Sequence, residues 1–390
     1  MPEQRHPSPI SPTIDLNAEG VHRGHLQLPH SRDDSAYGAV MIPIAVVRNG
    51  SGPTVLLTGG NHGDEYQGPL SLLKLASTLE AAAVNGRVII VPCMNQPAFA
   101  AATRTSPIDQ GNLNRSFPGR PDGTVTEKIA DYFTRCLLPL ADFVMDIHDG
   151  GKTLEFVPMA SSVALEDKEA EAAGEAAAEA FGAPYVTKLV ELDTIGMWDF
   201  VVGNSGRPFV TTELGGGGTT RPDTVEITDA GIRNVLMHWG ILPGEPATTT
   251  SERIVVPEHG AYVISDTDGL IEWVVALGAS IQAGDVIARI HDPVRLGTPA
   301  IEYRATIDGL LAMRHYPGLV KMGDAIALQC RRYRSGQPEM GEHQRLLVSL
   351  SEAAGKPEAE RRSPANSGYP PPQDRCDTTL GPPREAGRCR

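Results

Sequence analysis

The chain has 390 residues, 41% hydrophobic and 21% charged, a length for one large or two medium domains and a composition ordinary for a globular protein. Its formal net charge of −14 comes without a basic cluster able to neutralise phosphates, which excludes nucleic acid as an expected partner. No stretch reaches the ~18 apolar residues of a membrane span, and the five cysteines form no CxxC pair, so we expect no membrane association, a cytoplasmic protein, and any metal held by His and carboxylates.

Residues 1–38 are polar and rich in Pro and His, and read as a loosely held lead-in. Apolar alternation begins over 40–48, and from about 54 to 240 short β-branched runs alternate with longer helical patterns, the order of an α/β fold. The predicted strands are Val55–Thr58, Val88–Pro92, Phe143–Ile147 and Pro208–Thr212, each nearly continuous in apolar residues, as a sheet covered on both faces requires. Helices are predicted where Leu72, Leu75, Ala76 and Leu79 recur, and where Ile129, Phe133 and Leu137 follow a capping box from Thr124 to Glu127. Further helices are expected over Asp167–Phe181 and around Ile232, Val235, Leu236 and Trp239. A catalytic domain is thus placed at 39–245.

Residues 241–251 (ILPGEPATTTS) read as a linker. Beyond it, Asp268-Gly-Leu-Ile with Gly284-Asp-Val-Ile-Ala is echoed by Asp308-Gly-Leu-Leu with Gly323-Asp-Ala-Ile-Ala, which predicts a small barrel-like β domain over 252–332 built from two similar halves. The wording resembles lipoyl- and biotinyl-carrier barrels, but the hairpin HDPVRLGTPA lacks the lysine such a carrier needs. We expect this domain to pack beside an active site or at a subunit contact, which leaves a homo-oligomer open. Residues 334–390, rich in Pro and Arg, read as a disordered tail.

Three strand ends carry the candidate chemistry. Thr58-Gly-Gly-Asn-His-Gly-Asp-Glu65 follows a buried strand, so His62 and Glu65 lie in a glycine-rich loop where ligand sites of α/β sheets collect. Phe143-Val-Met-Asp-Ile-His148 ends a second strand on a histidine. Together they supply two imidazoles and a carboxylate, the three-ligand set of hydrolytic zinc with one position left for water. Glu213 in Thr211-Thr-Glu-Leu-Gly-Gly-Gly-Gly218 ends a third strand and is the candidate base. The polar loop Arg104 to Gly119 offers Arg104, Asn114 and Arg115, whose paired donors suit a substrate carboxylate.

These motifs resemble the succinylglutamate desuccinylase and aspartoacylase family, over roughly residues 10–332. The resemblance implies a fold like that of zinc carboxypeptidases: a mixed sheet with flanking helices. It also implies one Zn2+ per subunit on His62, Glu65 and His148, a substrate carboxylate on Asn114 and Arg115, a carbonyl-polarising role for Arg104, and Glu213 as catalytic glutamate. The loop before Asn114 is longer here than in aspartoacylases. Within the family, PISPTIDL, TRTSPID, NLNRSFPGRPDGTVTEKIADYF and TELGGGG read most like the N-acetyl-2,4-diaminobutanoate deacetylases of ectoine breakdown. The expected activity is therefore hydrolysis of a small N-acyl amino acid, N2-acetyl-2,4-diaminobutanoate first, with deacylation of N-acyl acidic amino acids as the alternative. One departure stands out: Asp149 replaces the serine the resemblance implies after the second histidine, and its carboxylate is a candidate partner for a cationic substrate side chain.

Overall fold

The computed structural model describes residues 7–165, 167–189, 195–247, 249–257 and 259–333. The expected tail over 334–390 lies outside them.

The strands Thr54–Gly59, Gly86–Val91, Phe143–His148 and Phe209–Glu213 occupy the four predicted stretches within two residues at either end. They form the centre of a mixed sheet, with Gly86–Val91, Thr54–Gly59, Phe143–His148 and Phe209–Glu213 side by side and parallel. Val55, Leu56, Leu57, Phe143, Val144 and Met145 have no exposed surface, which is why these runs do not alternate with polar residues. On one face the helices Gln67–Thr78, Lys168–Phe181 and Pro222–His238 bury Leu72, Phe181 and Val235 against the sheet. On the other, Val125–Tyr132 and Trp198–Asn204 bury Ile129 and Trp198. The capping box is present: Thr124 accepts from the Glu127 N–H, and Glu127 reaches back to the Thr124 N–H at 2.8 Å.

The loosely held lead-in is corrected by the structure. Gly20–Pro29 is a ten-residue strand paired antiparallel with Ala39–Asn49, and Leu26 and Leu28 are buried. Its side chains alternate Leu26 in, Gln27 out, Leu28 in, the period of a half-buried strand.

Past the linker, Glu252–Val255 pairs parallel with Tyr185–Leu189 and antiparallel with Ala325–Arg332, so the main sheet runs on into the C-terminal part without a break. The repeated halves are cross-paired. Tyr262–Ile264 of the first half pairs with Ala325–Arg332 of the second, and Ile301–Arg304 of the second pairs with Val286–His291 of the first. Ser280–Ile281 lies on Gly309–His315, and Leu319–Val320 on Gly269–Trp273. The aspartates that mark the repeat seal the exchange: Asp308 accepts the Ala283 N–H and Asp268 accepts the Met322 N–H, both at 2.8 Å.

This β part also reaches the catalytic sheet's open end. The segment Leu154–Phe156, a few residues beyond His148, pairs antiparallel with Gly309–His315. Packing beside the segment that follows His148, one of the two placements expected for the barrel, is thus present.

Candidate metal and hydrolytic site

The C-terminal ends of Thr54–Gly59, Phe143–His148 and Phe209–Glu213 are adjacent, which brings His148, Glu213 and the loop that follows Gly59 to one cavity of about 130 Å³. Glu213 lies directly across from His148 in the parallel register. The loop carrying His62 and Glu65 turns tightly against the helix Gln96–Ala101: a Cβ on Gly63 would sit 2.0 Å from the Ala98 carbonyl carbon, so only glycine fits.

His62, Glu65 and His148 are all buried, and their donor atoms lie within 4.8 Å of one another. Both imidazoles aim Nδ1 at the same carboxylate, His62 at 2.5 Å from Glu65 Oε1 and His148 at 2.9 Å from Glu65 Oε2. The other nitrogen of His148 is fixed from behind, 2.8 Å from Asp146 Oδ2, and Asp146 is itself held by Thr58 and Asn61. A carboxylate that takes the Nε2–H leaves Nδ1 with its lone pair facing Glu65 and His62, the orientation a metal-binding imidazole needs. Two nitrogens and a carboxylate converging in a buried pocket fit a divalent ion, and no other such group occurs among the described residues.

Against the cost of burial, Glu65 and Asp146 raise the His148 imidazole well above its ordinary value, and a divalent ion would take the place of the proton on Nδ1. Burial alone would raise the Glu65 carboxyl, but His62 and His148 hold it far below the usual carboxylate range. Burial lowers His62, against the pull of Glu65. Glu213 is pushed well above the ordinary value by burial and by Glu65, and its Oε2 is shielded from solvent with no hydrogen-bond partner. A shielded, unpaired carboxyl oxygen on a ligand-sized cavity is what a proton-handling group requires.

The predicted polar loop lines the same cavity with Arg104, Asn114 and Arg115. Arg104 comes within 3.8 Å of Glu65 and keeps half its side chain exposed. Asn114 is fixed by its Oδ1, which accepts the Trp198 N–H at 2.9 Å, leaving its amide NH2 for a ligand. Arg115 donates to the Asn114 carbonyl at 2.7 Å. All eight residues singled out from the sequence, Asp149 included, thus border one space.

Asp149 also borders the cavity, but its carboxylate is already engaged by the backbone. Its Oδ2 accepts the Tyr66 and Gln67 N–H groups at 2.8 and 3.1 Å, and its Oδ1 accepts the Gly151 N–H at 2.8 Å. The carboxylate points at the start of the helix Gln67–Thr78, whose N-cap Tyr66 has no side-chain cap of its own. Three residues that the sequence reading passed over also border the cavity: Asp146, Phe156 and Asp199. The DIH motif carried a signal for Asp146, since a residue two positions before a strand-end histidine shares its face.

The sequence pattern of the Succinylglutamate desuccinylase/Aspartoacylase catalytic domain matches residues 51–239. N-alpha-acetyl-L-2,4-diaminobutyric acid deacetylase of Halomonas elongata is 54% identical over 329 residues, which is 84% of this chain and 96% of that protein. The product-bound structure of the Ectoine utilization protein EutE (DoeB) from Ruegeria pomeroyi superposes with a TM-score of 0.82 at 55% identity, over 84% of this chain and 100% of that one. The succinylglutamatedesuccinylase/aspartoacylase structure from Rhodobacter sphaeroides gives 0.79 at 38% identity, over 84% and 100%. The expected mixed sheet with flanking helices and a small C-terminal β part is the fold these proteins share. By sequence and by fold, the chain belongs to the succinylglutamate desuccinylase/aspartoacylase family.

Proposed function

We propose that this enzyme, a hydrolase of N-acyl amino acids, is a zinc-dependent deacetylase that converts N2-acetyl-2,4-diaminobutanoate to acetate and 2,4-diaminobutanoate in ectoine breakdown. The observation that carries the reading is the unpaired Glu213 oxygen facing the cavity that His62, Glu65 and His148 also border. Its support in substrate choice is the 54% identity to the Halomonas elongata deacetylase across nearly its full length. The catabolic role implies a cytoplasmic location; among the described residues no helix is long and apolar enough to cross a membrane.

His62, Glu65 and His148 would hold the zinc, a choice that follows from borderline nitrogen donors joined to one carboxylate. When bound, zinc lowers the pKa of water from 15.7 to roughly 7 and polarises the acyl carbonyl. Arg115 and the Asn114 amide bind the substrate α-carboxylate and set the acyl carbon within reach of Glu213. Glu213 takes a proton from the attacking water as its oxygen bonds to that carbon. Arg104 faces the oxygen on which negative charge accumulates, and losing one donor of this kind costs ~10²–10³ in rate. As the C–N bond breaks, Glu213 passes its proton to the departing amine, a service its raised pKa suits.

Deacylation of N-acyl acidic amino acids asks for another cation in the cavity. Among the described lining residues, Arg104 and Arg115 are the only guanidinium groups, and neither is spare. The test is a panel of N-acetyl and N-succinyl amino acids offered to the metal-replete enzyme, with the freed amine assayed. Acetyl-diaminobutanoate is expected to lead, and Glu213→Gln should retain the metal while losing at least ~10²-fold in kcat. Preferred hydrolysis of succinylglutamate overturns the substrate, and full turnover by the glutamine variant overturns the base.

A further inference from the structure

Five carboxylates other than Asp199 border or approach the cavity, and each has an occupation. Glu65 receives both histidines, Asp146 receives His148, Asn61 and Thr58, Asp149 receives three backbone N–H groups, and Glu213 is the proton carrier. The fifth, Asp64, accepts the Lys152 N–H with one oxygen and keeps the other buried without a partner, but it does not line the cavity. Asp199 is different. It borders the cavity, half-buried, and its side chain makes one hydrogen bond, from the Phe200 N–H next to it in the chain at 2.8 Å. No ion pair reaches it among the described residues; burial pushes its carboxyl above the ordinary value against the pull of the Phe200 N–H, His148 and Arg115, and a cation in direct contact would relieve the remaining cost.

Its position is also fixed relative to the carboxylate clamp. Gly196, at φ +80, packs so closely that a Cβ there would lie 2.4 Å from the Arg115 carbonyl oxygen. Phe117 N–H donates to Gly196, and Trp198 N–H donates to the Asn114 side chain. The stretch Gly196–Asp199 is therefore riveted onto the loop that carries Asn114 and Arg115. A carboxylate that stands beside an arginine without pairing to it creates adjacent sites of opposite sign. A 2,4-diaminobutanoate chain presents the matching pair, a carboxylate and an ammonium separated by three carbons.

We propose that Asp199 is the specificity-determining residue of this site, the group that receives the side-chain ammonium of the substrate while Arg115 and Asn114 hold its α-carboxylate. This rests on the diamino acid reading above. It also explains how a cavity lacking a third cation rejects acidic substrates: their side-chain carboxylate would face Asp199. Discrimination comes both from the attraction and from the like-charge repulsion.

The experiment compares N2-acetyl-2,4-diaminobutanoate with N-acetylnorvaline, which replaces the terminal ammonium by a methyl group, in the wild type, Asp199→Asn and Asp199→Glu. In the wild type the charged substrate is preferred. In Asp199→Asn the ratio of kcat/KM between the two should fall by on the order of 10–100-fold, mainly through KM of the charged substrate. Asp199→Glu, which keeps the charge, should recover part of the ratio. A parallel loss on both substrates, or an undiminished preference in Asp199→Asn, overturns the assignment. If the wild type fails to hydrolyse acetyl-diaminobutanoate at all, the substrate reading itself falls and takes this inference with it. If it hydrolyses that substrate and the ratio does not move, only the role of Asp199 falls.

Discussion

Asp149 places an acid next to a proposed metal ligand, and the backbone around it absorbs the charge. Burial and the proximity of Glu65 push its carboxyl up to about 7, while N–H groups from Gln67, Gly151 and Tyr66 pull the other way. The residue works as a remote N-cap for the helix Gln67–Thr78. Asp149→Ser, which supplies a shorter acceptor, should leave KM for the acetylated substrate within about twofold and lower stability by about 1 kcal/mol, the usual worth of a cap. Steady-state kinetics and thermal melts check both halves, and a tenfold rise in KM would contradict the assignment. Residues of the site were legible in the sequence where the signal was local. His148 and Glu213 each end an apolar run just before glycines, His62 and Glu65 follow one across Gly59 and Gly60, and strand ends of one sheet face a common space. Asp199 had no such signal. It is placed by the contact of Gly196 with Arg115, more than eighty positions away, and nothing in the MWDF stretch announces that contact.

At the scale of elements, the strands of the parallel centre were readable because burial on both faces leaves an unbroken apolar run. Gly20–Pro29 was not, since His and Arg dominate its first half and only Leu26 and Leu28 carry the alternation. Helices were readable through period and caps, yet their attachment was not. The helix Lys168–Phe181 is tied to the strand Tyr185–Leu189 through Glu171, which accepts from Lys168 and Lys188 at 2.8 and 2.9 Å and from the Leu165 N–H at 2.7 Å. Burial raises this carboxyl, but those donors outweigh it and hold it below its ordinary 4.5. A depressed folded value means the stabilisation is complete above pH ~4.5 and fades as pH falls through the folded value. Glu171→Gln should therefore lose about 1–3 kcal/mol at pH 7, and the gap from wild type should close as the pH drops below 4. Urea titrations across that range would detect it; a gap constant with pH would mean that the charge is not what matters.

Across the whole molecule, one acid joins the β part to the catalytic sheet. Glu155 is 5% exposed, sits between cavity-lining Leu154 and Phe156, and is paired with Arg314 at 2.6 Å and with Arg221 at the start of the helix Pro222–His238. Gly216, in the glycine run after Glu213, bridges to the same residue. The wall of the cavity, the base-bearing strand end and the repeat domain thus meet at a single residue, the glycine run through its backbone and the two arginines through its carboxylate. Arg314→Met should cost about 1–3 kcal/mol and also reduce kcat, because the Leu154–Phe156 edge and the glycine run lose a common anchor. Unaltered kcat in a measurably destabilised variant would show the β part to be a support only. The sequence displayed the two halves of that part through their repeated wording, but not that each half completes the other.

That exchange of strands has a consequence for how such a domain comes into being. Each half contributes its first strand to the sheet of its neighbour and accepts the neighbour's first strand in return. One copy on its own would expose edges whose natural complement is a second identical copy, so the smallest closed object is a pair. Within a single chain the pair is made permanent by tethering, and the tether keeps the partner at high effective concentration. The domain is in this sense a homodimer folded into one polypeptide, and neither half can reach its native form before the other has been made.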